Sequence, residues 1–143
     1  MLWSYLHDMD TLEQLNDLDL LTALIMGEAE SEPLLGKIAV ACVVKNRLND
    51  RRWGNTWQDV MLQKYQFSCF LPSYLRPEIT MQHWKRITWR ECRFAAFGVL
   101  GGYVEDVTDG CNHYYAIWMS RPPSWAEGER HILGIGEHLF YRL

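Results

Sequence analysis

The chain has 143 residues, which suits one domain with a single core and leaves no room for a second module. Hydrophobic residues make up 48% of the sequence and charged residues 22%, a globular composition that excludes a largely disordered chain. Fourteen basic against eighteen acidic residues give a net charge of -4, so the basic balance of a typical nucleic-acid-binding domain is absent.

The first predicted helix covers residues 12–29, LEQLNDLDLLTALIMGEA, after a loose arm formed by residues 1–12. Its leucines recur near the helical period. Asp17 or Asp19 is suited to cap a second segment within this stretch. The start of the chain, MLWSYLHDMD, has neither the basic residues nor the apolar run of a secretory signal. We therefore expect synthesis in the cytoplasm.

A proline separates the first helix from the second. Pro33 disfavours the helical conformation at Glu32, so the first helix should end by about Ser31. Ser31 is then the expected N-cap of the next helix, with Pro33 in its first turn. Residues 34–50, LLGKIAVACVVKNRLND, are apolar on most faces, which predicts a central and buried helix.

Capping signals and prolines divide the middle of the chain. TWQD, residues 56–59, matches a capping box in its Asp variant and predicts a short helix. Residues 64–78, KYQFSCFLPSYLRPE, are expected to form a loop. A long helix should run from a cap at Thr80 through Val99 and end at the Gly101-Gly102 pair.

The last forty or so residues are rich in aromatics, glycines and prolines and lack helical periodicity. Short strands are expected at about 112–117 and 137–142. Cys42 and Cys92 fall within apolar helical patterns and should pack in the core as reduced thiols. The fold class is therefore predicted as α+β, predominantly helical, with a small β element and a lysozyme-like outline.

A run of acids marks the end of the first helix. GEAESE, residues 27–32, places Glu28, Glu30 and Glu32 at alternate positions with no Lys or Arg among them. The helix dipole at this end and the neighbouring carboxylates both disfavour the ionised form of Glu28. A carboxylic acid that stays protonated near neutral pH can act as a general acid. From the spacing alone, a solvated acidic turn is the simpler interpretation.

The sequence does not identify a second catalytic carboxylate to work with Glu28. Glycoside cleavage usually needs a second carboxylate across the bond, and Glu32, Asp106 and Asp109 are all open candidates.

Other chemistries have weaker support. Cys111 with His113 or His138 would form a thiol pair, but no nucleophile motif surrounds the cysteine. The four cysteines include no Cys-x-x-Cys pair and the five histidines no His-Glu-x-x-His, so neither a metal nor another cofactor is expected.

Several stretches occur in one order along the chain: MGEAESE, GKIAVACVVKNRL, YQFSCF, GCNHYYA, PSW and IGEHLFYR. Together they resemble the cell-wall hydrolase family that includes the spore cortex-lytic enzymes, and most closely its compact phage and proteobacterial members. The resemblance covers about residues 21–143. It implies a single lysozyme-like domain of the lytic transglycosylase sort that cleaves peptidoglycan glycan strands.

The resemblance also implies roles for individual residues. Glu28 matches the catalytic acid of the family, and Glu32 matches a second Glu that supports it. Glu30 and Ser31 stand where the family has Arg-Gly, which removes a cation near the site. Tyr115 stands where related members often have His, so a role for that His does not carry over.

Five further residues are predicted to bind substrate. Gln66 and Ser68 could contact sugar or acetamido groups or could stabilise their loop. Tyr114 and Trp125 could stack on sugar rings or could pack in the core. His113 is expected at the site as hydrogen-bonded scaffold rather than as a catalytic group.

The favoured function is a lytic transglycosylase that cleaves between N-acetylmuramic acid and N-acetylglucosamine, acting as a monomeric phage endolysin without stable membrane insertion. Such an enzyme would be stored in the host cytoplasm and would reach the cell wall through a membrane lesion. The alternatives are a muramidase that uses the same Glu28, a peptidoglycan amidase or peptidase, and a non-catalytic glycan-binding module.

Overall fold

Helices come first along the chain and strands last, as predicted. The computed structural model describes residues 12–63, 67 and 87–143. Its elements are α1 (Asp17–Ala29), α2 (Leu34–Asp50), α3 (Trp57–Met61), α4 (Ile87–Leu100), β1 (His113–Ala116), a 3-10 turn (Ser124–Ala126), β2 (Leu133–Ile135) and β3 (His138–Tyr141). The α+β, predominantly helical fold class is confirmed. The expected N-terminal arm lies outside the described residues except for Leu12, which is buried.

Two predicted helix caps are wrong. α1 is capped by Asn16, whose side chain accepts the Asp19 N–H at 2.8 Å, and not by Asp17 or Asp19. Asn16 has the extended backbone that a cap needs, whereas both aspartates already belong to the first helical turn. At α2 the cap position is held by Pro33, without a side-chain hydrogen bond, instead of by Ser31.

The other helix ends agree with the sequence. The hydroxyl of Thr56 accepts the Asp59 N–H at 3.0 Å at the start of α3. At the end of α4, Gly102 has φ +73° and Tyr103 N–H donates to Gly98 O at 2.9 Å, which closes the helix. The predicted cap at Thr80 and all of the loop at 64–78 except the buried Phe67 lie outside the described residues.

The helices enclose the main core. Buried side chains of α1, α2, α3 and α4 form one apolar cluster, and the central position predicted for α2 is confirmed. Cys42 and Cys92 are buried, free thiols in this cluster, as expected. Within the described part of the chain, no helix has both the length and the apolar character needed to cross a membrane.

A three-stranded antiparallel sheet of order β1-β3-β2 packs on α2. The predicted strands at 112–117 and 137–142 are confirmed to within a residue or so at each end, whereas β2 was not predicted. Phe140 of β3 lies opposite Tyr114 of β1 and packs against Ala39 and Val43 of α2. This packing brings one face of the sheet against the end of α1, where Glu28 lies.

Candidate active site

A cleft of about 530 Å³ opens between the last turn of α1, α2 and the sheet. Glu28 lines it, and no other Asp or Glu of the described residues does. Glu28 is half-buried. Six of the fourteen described lining residues are Phe, Tyr or Trp, which suits flat sugar faces. The aromatic side chains are Trp53, Phe67, Tyr114, Tyr115, Trp118 and Trp125.

Tyr114 holds the Glu28 carboxylate. Its hydroxyl donates a hydrogen bond to Glu28 Oε1 at 2.7 Å. The Tyr114 ring is itself held by the rings of His138, 5.1 Å away edge-on, and Phe140, 5.7 Å away. This hydrogen bond fixes the orientation of the carboxylate in the cleft.

Arg47, for which the sequence predicted no role, supplies a cation beside this carboxylate. Its guanidinium carbon lies 5.1 Å from the ring centres of both Trp53 and Phe67, and its Nε donates to the carbonyl of Asn112 at 2.7 Å. Burial lowers the pKa of the Arg47 guanidinium, and the nearby Tyr114 and Glu28 oppose that shift. The sequence predicted only acids around Glu28, whereas the folded chain places the positive charge of Arg47 near it.

Glu32 lies beside the cleft but does not line it. Its carboxylate is buried under the β2–β3 turn, where Oε1 accepts the Glu137 N–H at 2.9 Å. His138 Nδ1 also lies 2.9 Å from Oε1, without the alignment of a hydrogen bond. Glu32 therefore lies against His138, whose ring packs on that of Tyr114. The predicted role of Glu32 as a second catalytic residue stays a prediction.

His113 lines the cleft as a neutral base. Its Nδ1 lies 2.8 Å from Asn112 Oδ1, an oxygen that also accepts the Leu143 N–H at 3.0 Å. The amide oxygen can only accept, so Nδ1 carries the proton and Nε2 keeps its lone pair. Burial, and to a lesser extent Arg47 and Arg52, lowers the pKa of His113 to about 4. The role predicted for His113 at the site stays a prediction.

The aromatic rim is wider than predicted. Trp125 lines the cleft and contacts His113, with ring centres 4.8 Å apart, and Tyr141, 5.2 Å apart. Trp118, 73% exposed, is a further cleft residue that was not predicted from the sequence. Gln66 and Ser68 lie outside the described residues, so their predicted sugar contacts stay predictions.

The alternative second carboxylates lie elsewhere. Asp106 is tied into its own loop by Thr108, Gly110 and Asn46. Burial works to raise its pKa, but these hydrogen bonds outweigh burial and lower it. Asp109 is exposed and lies 3.5 Å from Arg142. Neither lines the cleft.

Two other kinds of site were considered in the sequence, a cysteine nucleophile and a metal site. Cys111 is fully buried, and burial raises the pKa of its thiol to about 11, which makes it a poor nucleophile. Among the described residues, no group of three or more His, Cys, Asp or Glu side chains is placed to hold a metal ion.

Comparison with solved structures identifies the fold. The catalytic domain of the germination-specific lytic transglycosylase SleB from Bacillus anthracis superposes with a TM-score of 0.69 at 23% identity, over 88% of this chain and 93% of that one. The catalytic domain of the Bacillus cereus SleB protein gives 0.68 at 26% identity, over 88% and 89% of the two chains. The predicted lytic transglycosylase-like fold is confirmed.

Sequence comparison agrees. The spore cortex-lytic enzyme of Bacillus subtilis is 28% identical and that of Oceanobacillus iheyensis 38% identical, each over 127 residues and 87% of this chain. The chain spans 37% and 41% of their respective lengths. The family model described as Cell Wall Hydrolase matches residues 31–141, beginning just after Glu28. The chain belongs to the Cell Wall Hydrolase family.

Proposed function

We propose that the chain cleaves the glycan strands of peptidoglycan between N-acetylmuramic acid and N-acetylglucosamine, with Glu28 as acid and then base. The observation that carries the proposal is the single described carboxylate of an aromatic cleft, held by the Tyr114 hydroxyl at 2.7 Å. The names of the similar proteins, spore cortex-lytic enzyme and lytic transglycosylase, agree with it.

The proposed reaction begins with a proton transfer. Protonated Glu28 donates its proton to the glycosidic oxygen, and the bond from the glycosidic oxygen to the muramoyl anomeric carbon breaks. Positive charge then develops on the sugar ring, while Arg47 and the Tyr114 hydroxyl stabilise the carboxylate left on Glu28. Glu28 next removes the proton of the muramoyl 6-hydroxyl, whose oxygen bonds to the anomeric carbon. The product is a 1,6-anhydro end, and Glu28 is protonated again.

The decisive variant is Glu28→Gln, which keeps the size of the side chain but has no acidic proton. Loss of a general acid costs about a hundred-fold in rate or more, so lysis of outer-membrane-permeabilised cells should fall by at least that factor. Glu30→Gln is the matched control, because Glu30 belongs to the same acidic run but does not line the cleft. Equal activity of Glu28→Gln and wild type would refute the assignment of the acid.

The remaining classes are separated by the fragments that the protein releases from purified peptidoglycan. A glycan-binding module would release no fragments even as wild type. An amidase or peptidase would release peptide stems instead of sugar fragments, and a zinc-dependent one would stop in EDTA and recover with zinc. We expect full activity in EDTA, since carboxylic-acid catalysis needs no metal.

The biological setting that we propose is host-cell lysis by a phage endolysin. The support is the resemblance of the sequence motifs to compact phage members of the family. Expression inside a Gram-negative host should leave the culture intact until the inner membrane is opened by a pore-forming protein, and should then cause rapid lysis. Lysis without such a lesion would contradict this setting.

A further inference from the structure

A second pocket, of about 700 Å³, lies next to the cleft. The two share Tyr115 and Pro123, so the pocket adjoins the cleft. Apart from Tyr115 of β1, the pocket is lined by the segment between β1 and β2, and neither Glu28 nor Tyr114 or Arg47 lines it. The reaction described above therefore makes no use of this space.

The pocket wall is fixed by its backbone. Pro122 and Pro123 restrict the chain before the 3-10 turn, and two turn hydrogen bonds hold the segment that follows: Ala126 N–H to Pro123 O at 3.0 Å, and Glu127 N–H to Ser124 O at 3.2 Å. A wall of this kind can present side chains in constant positions without a large loss of entropy on binding.

The pocket carries one charge of each sign. Arg121 and Glu127 both line it, both are exposed, and neither forms an ion pair within the part of the chain that the structure describes. A ligand with both a carboxylate and an amine would match this pair of charges.

We propose that this pocket binds the peptide stem of peptidoglycan, with Arg121 facing a stem carboxylate and Glu127 facing the amine of the diamino residue. The inference rests on the proposed function, since the stem branches from the muramic acid that the cleft would hold. The stem leaves the sugar through its lactyl group, and the wall shared by Tyr115 and Pro123 is the place where such a branch would pass.

The test compares two substrates: intact peptidoglycan, and glycan strands from which an amidase has removed the stems. Arg121→Ala and Glu127→Ala should each lower kcat/KM on intact peptidoglycan by about five-fold, the size expected of one exposed charge pair. Both variants should match the wild type on the stripped strands. Arg130→Ala and Glu129→Ala are matched controls, because these residues are exposed in the same segment but do not line the pocket.

The outcomes are distinct. Variants equal to wild type on both substrates would overturn the stem pocket while leaving the glycan-cleaving function intact. Equal losses on both substrates would also overturn it and would assign the pocket to sugar. Wild type inactive on both substrates would refute the proposed function itself. Circular dichroism and thermal unfolding of the variants verify that each one folds.

Discussion

At the scale of single residues, the position of the Glu28 carboxylate depends on Tyr114. We expect Tyr114→Phe to keep the ring packing against His138 and Phe140 but to lose the hydrogen bond to Oε1. A hydrogen bond to a charged group contributes about 1.5–3 kcal/mol, so kcat should fall about ten-fold to a hundred-fold, with little change in KM.

Tyr103→Phe is the control for this variant, because Tyr103 is 74% exposed and does not line the cleft. For both variants, kcat and KM should be measured on soluble peptidoglycan fragments. If Tyr114→Phe raises KM and leaves kcat unchanged, the hydroxyl binds substrate and does not hold the acid.

His113 gives the fold a dependence on pH. Its pKa is lowered from 6.5 to about 4 in the folded chain, so the unfolded chain binds more protons between these values. The contribution of His113 to stability is therefore complete above pH 6.5 and is lost as the pH falls toward 4. In urea unfolding at several pH values, His113→Gln should show a flatter loss of stability across this window than wild type. Parallel curves for the two proteins would contradict the lowered pKa.

The sequence predicted some site residues and not others for physical reasons. Glu28 stood out because acids rarely crowd at the negative end of a helix dipole. Arg47 did not, because a cation near the end of an apolar helix usually reaches solvent, and only the folded chain places it between Trp53 and Phe67. Trp118 lies in a segment without periodicity, where composition cannot tell a cleft wall from a surface loop.

At the scale of elements, Glu32 joins the α1–α2 link to the β2–β3 turn. Gly136 of that turn has φ +57°, and a Cβ there would lie 2.6 Å from Glu32 Oε1. Gly136→Ala should therefore strain the backbone and also displace a buried carboxylate, which together should lower the free energy of unfolding by about 2–4 kcal/mol. Urea unfolding monitored by fluorescence measures this loss.

Gly128→Ala isolates the backbone part of this loss. Gly128 has φ +76°, and a Cβ added there would meet nothing within 4 Å, so its substitution should cost only about 1 kcal/mol. The excess cost at Gly136 should disappear when Glu32 is also changed to Ala, since the displaced carboxylate is then gone. An excess that persists in the double variant would show that Glu32 is not the cause.

The sequence predicted which helices and strands form better than it predicted where each one begins and ends. Apolar periodicity is summed over many residues, so α1, α2 and α4 were predicted in the correct order. Each cap depends on one or two residues, and the choice of Asn16 or Pro33 is decided by local backbone angles. β2 has three residues, including a glycine, and forms only because β3 pairs with it.

At the scale of the whole molecule, the cleft is a product of long-range packing. Tyr114 reaches Glu28 across 86 positions of sequence, and Glu137 reaches Glu32 across 105. Neither pairing has a signal in composition or spacing. The resemblance to a family supplied the roles of these segments, and the packing of the sheet on α2 explains how they meet.

The architecture of the cleft bears on the chemistry of the product. Hydrolysis with inversion needs a second carboxylate about 6.5–9.5 Å from the acid to hold a water, and retention needs a nucleophile at about 5 Å. No second Asp or Glu of the described residues lines the cleft, and Glu32, Asp106 and Asp109 are all engaged elsewhere. Attack by the muramoyl 6-hydroxyl needs no such group, because the nucleophile is already part of the substrate.

We therefore expect products that end in 1,6-anhydro-muramic acid. Intramolecular attack has an orientation advantage over free water, and Glu28 remains in place to accept the hydroxyl proton because Tyr114 holds its carboxylate. Mass spectrometry of the released disaccharide-peptides distinguishes the outcomes, since an anhydro end is lighter than a reducing end by one water. Digestion in water labelled with ¹⁸O is the control, because a reducing end formed by hydrolysis takes its anomeric oxygen from water and a 1,6-anhydro end does not. Labelled reducing ends alone would mean that Glu28 activates water, and the enzyme would then be a muramidase with the same acid.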